Sequence, residues 1–249
     1  MKPRINKKLL VKDIYISGKR MFFTKETLDK NIKGASANEL QFLQKLFDDE
    51  TTTRTISRRA RYQKSAGFPI PKSFNNYDFS AIEFPKKLSK EKMLSLDFIR
   101  NKEVLLMFGI CGSGKTHALT ALGLMACNQD FKVKFYTVSQ LVMLLKKAKL
   151  EGTLDKFYKI LEKQDLLCLD EFGYIPMDLE GGQLLFQVIS SAYERQALIL
   201  TTNLPFTSWG PLFADEQLAA AIIDRLIHYG HLIKTGNNDW RLSHSLMVD

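Results

Sequence analysis

The stretch Gly109-Ile110-Cys111-Gly112-Ser113-Gly114-Lys115-Thr116 has the residue types and spacing to hold a polyphosphate. It fits G-x-x-x-x-G-K-[ST] in full and follows a short apolar run, Val104–Phe108, that reads as a strand. Gly109, Gly112 and Gly114 let successive backbone amides, that of Ser113 among them, curl around phosphate oxygens. A helix beginning at Thr116 would turn its positive end toward the same anion. Lys115 is then the contact for β- and γ-phosphates and the Thr116 hydroxyl a ligand for Mg²⁺, with His117 completing the nucleotide-binding set.

A second motif fits the first. Leu166-Leu167-Cys168-Leu169 is an apolar strand that ends in Asp170-Glu171. Asp170 would hold Mg²⁺, and Glu171 would orient and deprotonate a water attacking the γ-phosphate. The alternative is an acidic pair that ends a strand by facing solvent. A glutamate beside the magnesium aspartate favours hydrolysis over phosphoryl transfer to a second substrate. Farther on, an apolar run ends in Thr201-Thr202-Asn203, where Asn203 either reaches the γ-phosphate and its water or is a turn residue before Pro205.

These residues need a sheet to position them. Short apolar runs at Val104–Phe108, Val133–Tyr136, Leu166–Leu169, Leu198–Leu200 and His231–Ile233 alternate with helical patterns. The helices fall at residues 116–127, through Leu141, Leu144 and Leu145, through Leu184–Tyr193, and at Leu218–Leu226. Strands separated by helices imply an α/β fold with a five-stranded parallel sheet covered on both faces. Ligands bind such sheets at the carboxyl ends of the strands.

Gly67-Phe68-Pro69-Ile70-Pro71 stops any helix arriving from the N-terminal side. The expected organisation is a small basic helical domain over residues 1–65, a linker into the core over 66–100, and the core itself over 101–249. The stripe Leu40, Phe42, Leu43, Leu46 and Phe47 is the expected core of the first domain.

The chain has 249 residues with 36 Lys+Arg against 27 Asp+Glu, a formal charge of +9. Residues 1–65 hold 16 basic and 7 acidic residues, and the remainder holds 20 of each, so the excess is confined to the first quarter. Arg54, Arg58 and Arg61 share one helical face. That asymmetry suits a polyanion-binding arm on a neutral body; a solvated basic helix is the alternative. Lys146, Lys147, Lys149, Lys156, Lys159 and Lys163 form a second basic stretch, with a basic helix face at 156, 159 and 163 or a merely solvated one. No apolar run is long enough for a membrane span, and three cysteines at metal-unlike spacings make a disulfide framework or zinc site a poor fit. The expectation is a soluble, cytoplasmic protein with no membrane partner.

These landmarks resemble the AAA+ ATPases, and more narrowly the helper ATPases of insertion sequences, the IstB family, with DnaC-type helicase loaders as near relatives. The resemblance runs from about Ala60 to Leu242. It is carried by Ala66-Gly67-Phe68-Pro69, Leu169-Asp170-Glu171-Phe172-Gly173-Tyr174-Ile175-Pro176, Leu184-Leu185-Phe186-Gln187-Val188-Ile189, Thr201-Thr202-Asn203-Leu204-Pro205-Phe206 through Trp209, and Ile223-Asp224-Arg225-Leu226. It implies an AAA+ P-loop core that binds ATP with Mg²⁺, forms a homo-oligomer on duplex DNA with nucleotide at subunit interfaces, and assists a transposase in choosing target DNA.

By motif, Lys115 and Thr116 take the Walker A roles, Asp170 and Glu171 Walker B, and Asn203 sensor 1. Arg225 matches the arginine finger that stabilises transition-state charge on a neighbour's nucleotide; a surface ion pair with Asp224 or Glu194 is the alternative. Phe74, Tyr77 and Phe79 fall where the family packs the adenine, and core packing explains them as well. The chain departs from the family at Ile110, where proline is usual, at Cys111, at Gly181-Gly182, which should delay a helix, and over its first 35 residues. Few residues follow Ile233 for a helical lid, leaving Arg241 as an incomplete sensor-2 substitute or a plain surface arginine. The rival readings are a replicative helicase loader, a nucleotide-dependent scaffold that barely hydrolyses ATP, and a small-molecule kinase.

Overall fold

The computed structural model describes residues 6–236. Arg241 and the stretch after Gly236, where a lid would lie, fall outside the described residues. By compactness the chain divides into residues 1–60 and 61–249.

In the first unit, α1 (Lys7–Arg20), α2 (Lys25–Ile32) and the first part of α3 (Ala37–Ala66) enclose Ile14, Leu28, Ile32, Leu40 and Phe47. Asn6 and Thr24 cap α1 and α2 through their side chains. Ser36 and Glu39 exchange hydrogen bonds at the start of α3 in a capping box. The expected apolar stripe is only partly inward: Phe42 is 70% and Leu46 51% exposed, while Leu40, Leu43 and Phe47 face the core. Leu40, Leu43 and Phe47 follow the i, i+3, i+7 row, and Phe42 and Leu46 lie off that row.

The second unit takes in the end of α3 and continues through α4 (Lys90–Leu94), α5 (Asp97–Arg100), β1 (Val104–Phe108), α6 (Lys115–Asn128), β2 (Val133–Thr137), α7 (Val138–Leu150) and α8 (Leu154–Glu162). Then come β3 (Leu166–Phe172), α9 (Leu179–Ala192), β4 (Ala197–Thr202), two short 3₁₀ turns, α10 (Glu216–His228) and β5 (Gly230–Lys234). All five strands are parallel, in the order β2-β3-β4-β1-β5.

Alternate residues of each strand serve opposite faces. Val104, Leu106, Leu198 and Leu200 pack with α7, α9 and α10, while Leu105, Met107, Cys168 and Ile199 pack with α6 and the segment that follows α3. Both faces are therefore apolar and covered, as a parallel sheet requires.

Three expectations need correction. β3 does not stop at Leu169 but runs on to Phe172, because Phe172 is fully buried and stacks on Trp209 at 4.4 Å. Gly181-Gly182 does not delay α9, which starts at Leu179 under an Asp178 cap. A Cβ at Gly181 would stand 2.8 Å from Val142 Cγ1, and one at Gly182 3.0 Å from a Leu218 methyl, so the pair admits close packing by α7 and α10. That packing outweighs the cost of helical glycine, about 1 kcal/mol each. The basic helix face at 156, 159 and 163 is shorter than expected: Lys156 and Lys159 lie on α8, but Lys163 lies past its end, as the C-cap.

Candidate nucleotide site

The sheet register gathers the site. Phe108 pairs with Thr202 on one side and with Lys234 on the other, so Gly109, Asn203 and Thr235 leave three neighbouring strands at one edge. Gly112 and Gly114 take φ of +77° and +84°, a region closed to most side chains. Gly114 then caps α6, whose first turn carries no acidic residue. The cradle thus offers backbone amides and the positive end of a 14-residue helix to an anion.

Lys115 Nζ donates to the carbonyls of Gly109 and Ile110 at 2.8 and 2.6 Å, which holds its ammonium within the loop. Thr116 Oγ1 donates to Asp170 Oδ1 at 3.0 Å. The buried Asp170 accepts a second bond from Thr201 Oγ1 on the same oxygen. A hydroxyl and a carboxylate converging beside a phosphate cradle are the oxygen donors that Mg²⁺ prefers. Among the described residues no cluster of three or more His, Cys, Asp or Glu offers a rival metal site.

Glu171 is held by a device that the sequence pattern does not reveal. Between Leu169↔Leu200 and Phe172↔Thr202 β3 carries one residue more than β4. This bulge puts Glu171 at φ +60°, and its N–H donates to Thr201 Oγ1 at 3.0 Å. A non-glycine residue there costs on the order of 1–2 kcal/mol. Through it, Asp170 points into the core and its immediate neighbour stays exposed at the edge.

Asn203 Nδ2 lies 4.0 Å from Cys111 Sγ, and its Oδ1 is buried without a partner among the described residues. That leaves an acceptor at the loop. Cys111 Sγ also contacts the Tyr174 hydroxyl at 2.8 Å. Nucleotide fits these residues: a cradle lined with positive-φ glycines, a lysine, a hydroxyl–carboxylate pair and an orphaned amide oxygen share one edge.

His117, Phe74, Tyr77 and Phe79 sit together. His117 Nε2 is 2.7 Å from the Ser73 carbonyl, and its ring lies 5.1 Å from that of Tyr77. Tyr77 packs on Gly114, where a Cβ would come within 3.0 Å, and donates a long bond of 3.4 Å to the Gly114 carbonyl. Burial and the neighbouring Asp78 push its phenol up to about 12.

Arg225 lies elsewhere. Near the end of α10, it lines a crevice with Lys102, Val104, Gln196 and Leu198, at the amino ends of the strands. The phosphate loop is at the carboxyl ends, beyond five residues of β1, or about 15 Å. Its guanidinium donates to the Ala221 carbonyl at 2.9 Å and stands 4.7 Å over the Phe186 ring, with no ion pair to Asp224 or Glu194.

The second basic stretch is partly neutralised. Lys146 pairs with Asp178 and Lys149 with Glu180, both at 2.6 Å, and Lys147 lies 3.8 Å from Glu151. Lys156, Lys159 and Lys163 are exposed. In α3, Arg54 pairs with Glu50 at 2.7 Å. No helix among the described residues is long and apolar enough to cross a membrane.

Sequence reasoning missed Thr201 and Thr235. The Thr-Thr-Asn motif flagged Thr201's neighbourhood, whereas nothing in the pattern flagged Thr235.

The family model described as IstB-like ATP binding protein matches residues 19–247. The ATP-binding protein of insertion sequence IS232 from Bacillus thuringiensis subsp. berliner is 35% identical over 211 residues, 82% of this chain and 83% of that one. Its counterpart in IS5376 from Geobacillus stearothermophilus is 33% identical, over 81% of this chain and 80% of that one. Among solved structures, DnaI superposes with a TM-score of 0.53 at 16% identity, covering 72% of this chain and 98% of the other. AMPPCP-bound DnaA from Aquifex aeolicus gives 0.50 at 19%, covering 62% and 48%. These two share the fold.

Proposed function

This chain belongs to the IstB-like ATP-binding protein family, and from that premise we propose that it is a transposition helper, an ATPase that assembles on duplex DNA and assists a transposase in target selection. ATP binding and an AAA+ P-loop core come with the family and the fold. Mg²⁺, DNA, assembly and the transposase are our reading.

In this reading Lys115 and the loop amides hold the triphosphate, and Thr116 with Asp170 would hold Mg²⁺, which supplies charge neutralisation when bound. Glu171 takes the proton of the attacking water, and the free Asn203 oxygen orients that water. Arg225 cannot serve its own loop from the opposite edge of the sheet, so it serves the nucleotide of a second subunit. That separation is the observation that carries the assembly reading. Relatives named for insertion sequences support the transposase as partner, and the basic first quarter supports sequence-independent phosphate contacts.

Light-scattering mass with ATP–Mg²⁺, with and without a duplex of about 60 bp, roughly 200 Å of helix, tests it. A large discrete complex that needs both ATP and duplex, and is lost in Lys115→Ala, is expected. A protein that stays small on duplex, yet answers to single strands or a helicase hexamer, is a loader instead.

A further inference from the structure

Thr235 belongs to no motif, yet it is only 3% exposed and its hydroxyl meets the phosphate loop. Thr235 Oγ1 lies 2.7 Å from Ser113 Oγ and 3.3 Å from the Phe108 carbonyl oxygen. Proton accounting orders these contacts. The single hydroxyl proton of Ser113 is committed to the Ile110 carbonyl at 2.8 Å, so the Thr235 proton goes to Ser113. The Phe108 carbonyl accepts the Thr235 backbone N–H at 2.9 Å, and at 3.3 Å it is the more distant of the two acceptors within reach of the Thr235 hydroxyl.

The Ile110 carbonyl also accepts from Lys115 Nζ at 2.6 Å. Thr235 thus donates to Ser113, Ser113 donates to Ile110, and the Lys115 ammonium rests on that same carbonyl. Hydrogen bonds in such chains polarise and strengthen one another. Gly109 makes room for the chain, since a Cβ there would stand 2.3 Å from Thr235 Oγ1. This gives that glycine a use beyond backbone freedom.

We infer that Thr235 is a positioning residue for the nucleotide: through Ser113 it fixes the Ile110 carbonyl and so sets where the Lys115 ammonium meets the triphosphate. The inference rests on residues 109–116 being the nucleotide site.

The test measures binding of an N-methylanthraniloyl-labelled ATP, together with ATPase KM and kcat, for wild type, Thr235→Val, Thr235→Ser, Ser113→Ala and the Val/Ala double variant. Thr235→Val keeps the shape and removes the hydroxyl, and is expected to raise Kd and KM about fivefold, the worth of one net hydrogen bond, with kcat within about twofold. Thr235→Ser keeps the hydroxyl and stays within about twofold of wild type in Kd and KM. Ser113→Ala raises Kd about as much as the valine does, and adding the valine to it costs less than about twofold, because both act through one chain. Unchanged binding by Thr235→Val, equal loss in Thr235→Ser, or a full additional loss in the double variant overturns the role of Thr235. Should the valine variant fail to fold, Ser113→Ala alone decides, and unchanged binding there overturns the inference. Wild-type protein that does not bind the labelled ATP overturns the nucleotide site itself, and this inference with it.

Discussion

Thr116 Oγ1 donates to Asp170 Oδ1 at 3.0 Å, although 54 residues separate the two in the chain. Thr201 donates to the same oxygen, so one carboxylate oxygen gathers the phosphate loop, β3 and β4. An asparagine at 170 would replace one carboxylate oxygen with a nitrogen donor. Asp170→Asn is expected to cut Mg²⁺-dependent ATP turnover about 100-fold. Binding of labelled ATP in the presence of EDTA should change little. Comparing the two with and without metal checks the assignment.

Glu171→Gln keeps the size of the side chain and removes its basicity. Turnover should fall about 100- to 10,000-fold, the usual worth of a general base, while ATP still binds. On duplex DNA the variant should remain in the assembled state, measured as complex lifetime after dilution. Unchanged turnover would remove Glu171 from catalysis.

Arg225→Ala should bind ATP like wild type and hydrolyse it at least about 100-fold more slowly. Mixing it with Glu171→Gln supplies some interfaces with an intact glutamate from one subunit and an intact arginine from the other. Partial recovery of turnover on mixing is expected, and no recovery would mean that Arg225 does not act across an interface.

Cys111 is exposed in the phosphate loop, while Cys127 and Cys168 are fully buried. Burial pushes the Cys127 thiol up to about 11 and that of Cys168 well above its ordinary value, so both stay protonated. A maleimide should therefore label Cys111 first, abolish ATP binding, and be slowed by bound ATP. Mass spectrometry of the labelled peptides reads the order.

Tyr77 carries an alkaline signature. Its folded pKa of about 12 stands above the ordinary 10, so its contribution to stability is complete below about pH 10 and is lost as pH rises toward 12. Urea unfolding across that window should show wild type losing more stability than Tyr77→Phe, which has no phenol to ionise. Equal losses would argue against a buried Tyr77 hydroxyl.

Much of this was legible in the sequence, for definable reasons. The five strands are short apolar runs bounded by polar turns, and Gly109–Thr116 is a local motif whose shape is set by its own glycines. Asp170 and Glu171 were visible as a pair, but the bulge that separates their directions depends on β4, and a strand read by itself carries no sign of its partner's register. Gly181-Gly182 misled because helix propensity is local, while the close approach of Val142 and Leu218 that favours glycine there is tertiary. Phe42 and Leu46 misled in the reverse sense, since hydrophobicity alone does not say which row of a helix turns inward. Thr235 was invisible: a single threonine gains its meaning only from the β1–β5 register.

That register also sets a timetable. β1 has no neighbour close in sequence: its partners are β4, which begins at Ala197, and β5, which begins at Gly230. During synthesis the strand before the loop therefore emerges with both edges open, and β4 begins only about 90 residues, and β5 about 120 residues, after Phe108. Contacts of such long separation are slow to form, and open edges invite wrong pairing. Until β5 is made, one edge of β1 stays open and the loop lacks its Thr235 neighbour, so a chain cut short before Lys234 is expected to be prone to aggregate.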